Sequence, residues 1–179
     1  MIEITFLGRG GQGAFTSSRI LAIASSLYGG RHSLCFPSFG PERRGAPVFA
    51  YTKIGDTPIR DRSQSPSSDY IVVLDESLYK DNLKEKLKAG GKIIINSSSS
   101  NKYTDENLIT FDAQPIALKY LGVPITNTAM LAALVIITKI VDKESLQKAI
   151  DYDLNPKSAI KNKKLIEYVS QKIGGDIDG

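Results

Sequence analysis

The segment Gly8-Arg9-Gly10-Gly11-Gln12-Gly13 constrains this chain more than any other stretch. It follows the apolar run of residues 2–7 and precedes residues 14–28, where Ile20, Leu21, Ile23, Ala24 and Leu27 recur at helical spacing before Gly29-Gly30. A G-x-G-x-x-G between a first strand and a first helix allows a tight turn, a close approach of backbone to ligand, and close packing of helix on strand. Free N–H groups at such a helix start favour an anion. Two readings stay open from the turn alone: a phosphate cradle, or a helix start that needs glycine only for packing.

A second strand is expected near residues 33–36. An NAD-type site would close it with an Asp or Glu for the ribose, about 20 residues past the glycines. No acid occurs between Gly8 and Pro41, so that expectation fails. The chain continues instead with Phe36-Pro37-Ser38-Phe39-Gly40-Pro41-Glu42-Arg43-Arg44-Gly45-Ala46-Pro47, too rich in Pro and Gly for a helix or a central strand. Arg43 and Arg44 offer planar forks to a phosphate or carboxylate, with Glu42 able to hold one of them. The alternative is a solvated loop with ordinary surface arginines. Phe36 and Phe39 favour a docking surface, because aromatics exposed in a merely solvated loop gain nothing.

Residues 48–54 alternate like a strand, Gly55-Asp56 signals a turn, and residues 57–60 are expected to return as its hairpin partner. Residues 70–74 form a continuous apolar run of the buried parallel kind. Asp75-Glu76-Ser77 then starts a helix expected to reach about residue 88, and residues 92–96 make the next strand, completing a β-α-β unit. The Ser/Asn tract 97–101 reads as a surface loop, and residues 108–111 as a last short strand. Helices are expected over 112–121, 127–141 with Asn127 or Thr128 as N-cap, 143–150 and 156–173, with 174–179 frayed. The fold class is α/β: a Rossmann-like, mostly parallel sheet with an antiparallel hairpin and C-terminal helices, in a single domain over residues 1–179.

The one cysteine, Cys35, precludes an internal disulfide and a four-cysteine iron–sulfur cluster within the chain, and the one histidine, His32, precludes a multi-histidine metal site. Cys35 reads as a small core residue and His32 as a surface one. The net charge of +4 is spread over lysine-rich stretches such as 80–88 and 157–172, which argues against a nucleic-acid surface. No stretch approaches the roughly 20 apolar residues of a membrane helix, and no basic n-region precedes the first strand. The expectation is a cytoplasmic protein.

The glycine turn together with the 36–47 segment resembles the γ subunit of pyruvate:ferredoxin oxidoreductase and related 2-oxoacid:ferredoxin oxidoreductases. The likeness continues through Arg62-Ser63-Gln64, residues 70–74 with the trailing Asp75, and Asn127-Thr128-Ala129-Met130-Leu131. Glu42-Arg43-Arg44-Gly45-Ala46-Pro47 is closer to the pyruvate and branched-chain members than to the 2-oxoglutarate type. The resemblance implies one subunit of a heteromultimeric, anaerobic enzyme of the pyruvate synthase kind, which oxidatively decarboxylates a 2-oxoacid, forms an acyl-CoA and passes electrons to ferredoxin. It implies α-, β- and δ-type partners that carry thiamine diphosphate and iron–sulfur clusters, coenzyme A as co-substrate, no cofactor held by this chain alone, and no catalytic residue on it. It also carries over Gly8, Arg9, Gly10, Gly11, Gln12, Gly13, Ser38, Glu42, Arg43 and Arg44 as the surface facing the assembled active site and coenzyme A. Competing readings are a free-standing Rossmann-like nucleotide binder and a purely structural subunit that touches no ligand.

Overall fold

The computed structural model describes residues 1–38 and 45–177. A six-stranded sheet has the order β2-β3-β1-β4-β5-β6, with β1 Ile2–Arg9, β2 His32–Pro37, β3 Pro47–Gly55, β4 Ser68–Val73, β5 Leu87–Asn96 and β6 Leu108–Phe111. β1, β4, β5 and β6 run parallel, with Ile4 opposite Tyr70, Ile71 opposite Ile93 and Ile94 opposite Ile109. β3 runs antiparallel to both its neighbours, Ile2 facing Ile54 on one side and Cys35 facing Thr52 on the other. The helices are α1 Ala14–Ile23, α2 Gln114–Leu121, α3 Asn127–Thr138, α4 Lys143–Asp153 and α5 Pro156–Ile177.

Alternation along the strands divides the core. Ile4, Phe6, Val72, Leu74 and Ile94 face the helices and pack with the wholly buried Met130, Leu131 and Leu134 of α3. Leu7, Ile71, Val73, Ile93 and Ile95 face the other way into a smaller cluster closed by Leu83, Leu78 and Tyr103. Helices therefore cover one face of the sheet, and short connections cover the other.

Several local expectations change. Residues 57–60 do not pair with β3, because both of its edges are already occupied by β1 and β2; the antiparallel hairpin is β2 with β3. The helix expected over 76–88 is replaced by two short 3-10 segments, Glu76–Leu78 and Asp81–Lys86, and β5 begins at Leu87. Its apolar residues Leu78, Leu83 and Leu87 are spaced five and four apart, too sparse for a helical stripe, and only Leu83 is buried within the second segment. The helix expected over 14–28 ends in a wider π turn, Ala24–Tyr28. Thr126, not Asn127 or Thr128, stands at the N-cap of α3 and makes no side-chain capping bond; Asn127 and Thr128 are buried instead. The last helix continues to Ile177 rather than ending at residue 173.

Candidate functional site

At the carboxyl ends of the parallel strands, β1 passes through the glycine turn into α1. Gly13 is the N-cap of α1 at φ 83°, and Gly11 has φ 93°, both in the region that favours glycine. A Cβ on Gly13 would lie 2.5 Å from Nδ2 of Asn127, so α3 approaches the turn to within a distance only glycine permits. Gly8 is tight in a second direction, its hypothetical Cβ 3.1 Å from the Leu74 side chain. The packing reading of the glycines is thus met at two positions.

The turn is held by its own polar groups. The Arg9 N–H donates to Oε1 of Gln12 at 2.7 Å, and the Gln12 N–H returns to the Arg9 carbonyl at 2.9 Å. The Arg9 guanidinium reaches across to the end of β4: Nε donates to Oδ2 of Asp75 at 2.9 Å and Nη2 to Oγ of Ser77 at 2.8 Å. Gln12 Nε2 meets the same Asp75 oxygen at 3.2 Å. Burial would raise the Asp75 carboxyl, but bonds from Ser77, Gln12 and Arg9 outweigh it and hold the group below the usual carboxylate range.

The same turn grips the loop after β2. Arg9 Nη1 donates to the Gly45 carbonyl at 2.9 Å, and the Gly10 N–H donates to the Ala46 carbonyl at 2.9 Å. At the other root the Ser38 N–H donates to the Phe49 carbonyl at 2.7 Å, and the Ser38 hydroxyl accepts from the Phe49 N–H at 3.4 Å. Of the residues singled out from sequence, Gly8, Arg9, Gly10, Gly11, Gln12 and Gly13 come together in this turn, and Ser38 lies at the loop's first root. Glu42, Arg43 and Arg44 lie outside the described residues.

Beside the turn, a hollow of about 320 Å³ opens over the ends of β4, β5 and β6, lined by Gln12, Asp75, Asn96, Ser97, Asp112 and Thr126 among others. Asn96 buckles its floor, donating to the Leu74 carbonyl at 3.0 Å and accepting from the Ala113 N–H at 3.1 Å. The described residues of this lining include Asp75, Glu76 and Asp112 and no lysine or arginine. The lining carboxylates disfavour phosphate in this hollow. Sequence reasoning missed Asp75 and Ser77 as the anchors of Arg9. The signal was the Asp-x-Ser spacing directly after a buried strand, which makes a local turn in which Asp75 accepts from the Ser77 N–H at 3.0 Å.

Cys35 and His32 stand apart from this region on β2. Burial pushes the half-buried Cys35 thiol up, and His32 is exposed at the strand's start. No helix among the described residues is long and apolar enough to cross a membrane.

Residues 3–171 match the model of the pyruvate ferredoxin/flavodoxin oxidoreductase family. The chain belongs to this family. The pyruvate synthase subunit PorC of Methanocaldococcus jannaschii is 46% identical over 93% of this chain and 94% of the relative. The pyruvate/ketoisovalerate oxidoreductases common subunit gamma of Thermococcus kodakarensis is 44% identical over 96% of this chain and 97% of the relative. In structure, the pyruvate oxidoreductase subunit PORC of Thermotoga maritima superposes with a TM-score of 0.81 at 32% identity, covering 95% of each chain. The chain is accordingly a γ subunit of the 2-oxoacid:ferredoxin oxidoreductase type. A free-standing nucleotide binder is no longer the competing account.

Proposed function

We propose that this chain, as one γ-type domain over residues 1–179, presents the coenzyme A-facing wall of a pyruvate or related 2-oxoacid:ferredoxin oxidoreductase. The complex decarboxylates the oxoacid, transfers the acyl group to coenzyme A and passes two electrons to ferredoxin. Thiamine diphosphate and iron–sulfur clusters sit on α-, β- and δ-type partners, and no acid, base or nucleophile of this chain takes part in the carbanion chemistry. Its contribution is positioning and charge.

One observation carries the reading: the glycine turn is bonded to the residues that come directly after the Arg43-Arg44 pair in sequence. Arg9 and Gly10 bind the carbonyls of Gly45 and Ala46, immediately after Arg44 in the chain, while Ser38 ties the other root to β3. Gly45 and Ala46, which follow the arginine pair in sequence, are therefore held next to the start of α1 with its partial positive charge. Coenzyme A bears a 3′-phosphate and a pyrophosphate, which suit guanidinium forks and helix N–H groups.

The test is kinetic. The holoenzyme is assembled with its native partner subunits and assayed anaerobically for oxoacid- and coenzyme A-dependent reduction of a viologen dye. Arg43→Ala/Arg44→Ala is expected to raise KM for coenzyme A at least tenfold while leaving KM for the oxoacid unchanged. An unaltered coenzyme A KM would sink the proposal, and loss of subunit association with that KM intact would make the loop a structural contact.

A further inference from the structure

A second hollow, about 260 Å³, lies between the α2–α3 connection and the first turns of α5. Val123 and Ile125 stand at it 43% and 44% exposed, with Leu121 and Leu154 contributing apolar wall. The space is below the roughly 300 Å³ at which small-molecule pockets begin and suits one large side chain. Asn162 also lines it. This residue is only 7% exposed, its Nδ2 donates to the Ser158 carbonyl at 2.9 Å, and its Oδ1 has no hydrogen-bond partner among the described residues. A buried carbonyl oxygen without a donor is uncommon in a finished structure.

Charge points the same way. Lys161 lines the hollow, and Lys157, Lys161 and Lys164 follow one another along one exposed stripe of α5 together with Ile160. Among the described residues none of these three lysines meets a carboxylate. The hollow also adjoins the glycine turn, because Asn127, which packs on Gly13, forms part of its lining.

We propose that this hollow is a socket for a single tyrosine or tryptophan, flanked by carboxylates, from a neighbouring subunit of the same oxidoreductase. The ring fills the space between Val123, Ile125 and Leu154, its O–H or N–H supplies the donor that Asn162 Oδ1 lacks once the amide turns toward it, and the carboxylates meet the α5 lysines. Anchors of this kind carry much of the affinity at protein interfaces. The proposal rests on the chain being a subunit and is independent of coenzyme A contact by the arginine loop.

Carboxyl-to-amine zero-length cross-linking of the holoenzyme, with peptide mapping of the products, is expected to join Lys161 or Lys164 to an Asp or Glu of a partner subunit. In complexes assembled with the native partners, Ile125→Asp is expected to speed dissociation at least tenfold while the unfolding midpoint of the free chain stays unchanged, because Ile125 is 44% exposed, and Ile125→Leu is expected to keep the wild-type rate. Lys161→Glu/Lys164→Glu is expected to slow association most at low salt. Cross-links confined to this chain, or joining two copies of it, would overturn the proposal, as would wild-type dissociation of the Ile125→Asp complex. An unchanged coenzyme A KM in Arg43→Ala/Arg44→Ala would refute the active-site reading and leave these outcomes untouched.

Discussion

Strand β1 ends in an ion network on both sides, and the two networks serve different purposes. At its amino end, Glu3 meets Lys88 at 2.8 Å and Lys53 at 3.8 Å; Lys53, 2% exposed, reaches Asp61 at 3.0 Å. Lys88 also holds Asp69 at 2.8 Å. These groups join β1, β3, β4, β5 and the 57–67 connection around the buried Lys53 and its partner Glu3, while Lys88, Asp69 and Asp61 reach solvent. At the carboxyl end, Arg9 and Asp75 have side chains 38% and 22% exposed, and what they grip is the root of a loop. Removing a charge from a buried network strands its partner, whereas removing one from a half-exposed network mostly loosens what it held. The amino end should therefore answer to stability measurements and the carboxyl end to functional ones.

The strongest test of that contrast is Glu3→Ala. It leaves the buried Lys53 ammonium with Asp61, itself 64% exposed, as its one carboxylate among the described residues, and removes the Lys88 and Ser65 contacts. A loss of about 3 kcal/mol is expected, at the lower end for a broken buried pair, read as a shifted denaturant midpoint. Burial acts to raise the Glu3 carboxyl, but Lys88, Ser65 and Lys53 outweigh it and hold it low. A carboxyl lowered by folding adds stability above its unfolded value, about 4.3 for Glu, and that stability fades as pH falls through the lower folded value. Asp61, lowered to about 2 by its bonds to Ser63 and Lys53, has the same sign. Acid melting between pH 4 and 2, approximately the span from the unfolded values downward, should thus be shallower in Glu3→Ala than in the parent. Equal stability of the two at pH 7 would refute the claim that this end bears the fold.

Next in size is Gly13→Ala, which belongs to both categories. The substitution forces an L side chain to φ 83° and sets a methyl 2.5 Å from the Asn127 amide. About 2 kcal/mol is expected from overpacking and backbone strain, together with an altered coenzyme A KM because α1 must shift. Gly11→Ala, where nothing lies within 4 Å of the new Cβ, should incur only the backbone part. Identical unfolding midpoints for the two variants would remove the case for contact with α3.

Much of this molecule was legible because its signals are local or periodic. β6 was readable to the residue, and the glycine turn announced the β1–α1 junction. The failures share a cause: they depended on tertiary neighbours. The hairpin partner of β3 could not be read because the turn at Gly55-Asp56 does not show that β1 already occupies that edge. Asn127 looked like a cap and is instead the surface against which Gly13 packs, a relation spanning more than a hundred residues. The site shows the same division. The six turn residues were visible in sequence, while Asp75 and Ser77 became partners of Arg9 only because β4 lies beside β1 in parallel register.

The smallest expected change in stability, Asp75→Asn, tests the carboxyl end most directly. The pair it breaks is solvent-screened, so the cost is below about 1 kcal/mol, and the unfolding midpoint should hardly move. The local effect is different. Without the carboxylate, Arg9 loses the group that aims it, and its bond to Gly45 weakens along with the neighbouring Gly10–Ala46 bond. Exchange of the Gly10 amide is then expected to quicken up to roughly fivefold at neutral pH, the equivalent of about 1 kcal/mol, with coenzyme A KM rising in parallel. The sign also fixes the behaviour of the parent protein. Because the Asp75 carboxyl is held below its ordinary value, the grip is complete above about pH 4 and is released as pH falls through that lowered value. Parent and variant should therefore converge in Gly10 exchange, corrected for intrinsic rate, only in acid. Convergence at pH 7 would mean that Arg9 holds the loop without Asp75, and the two ends of β1 would then differ in burial alone.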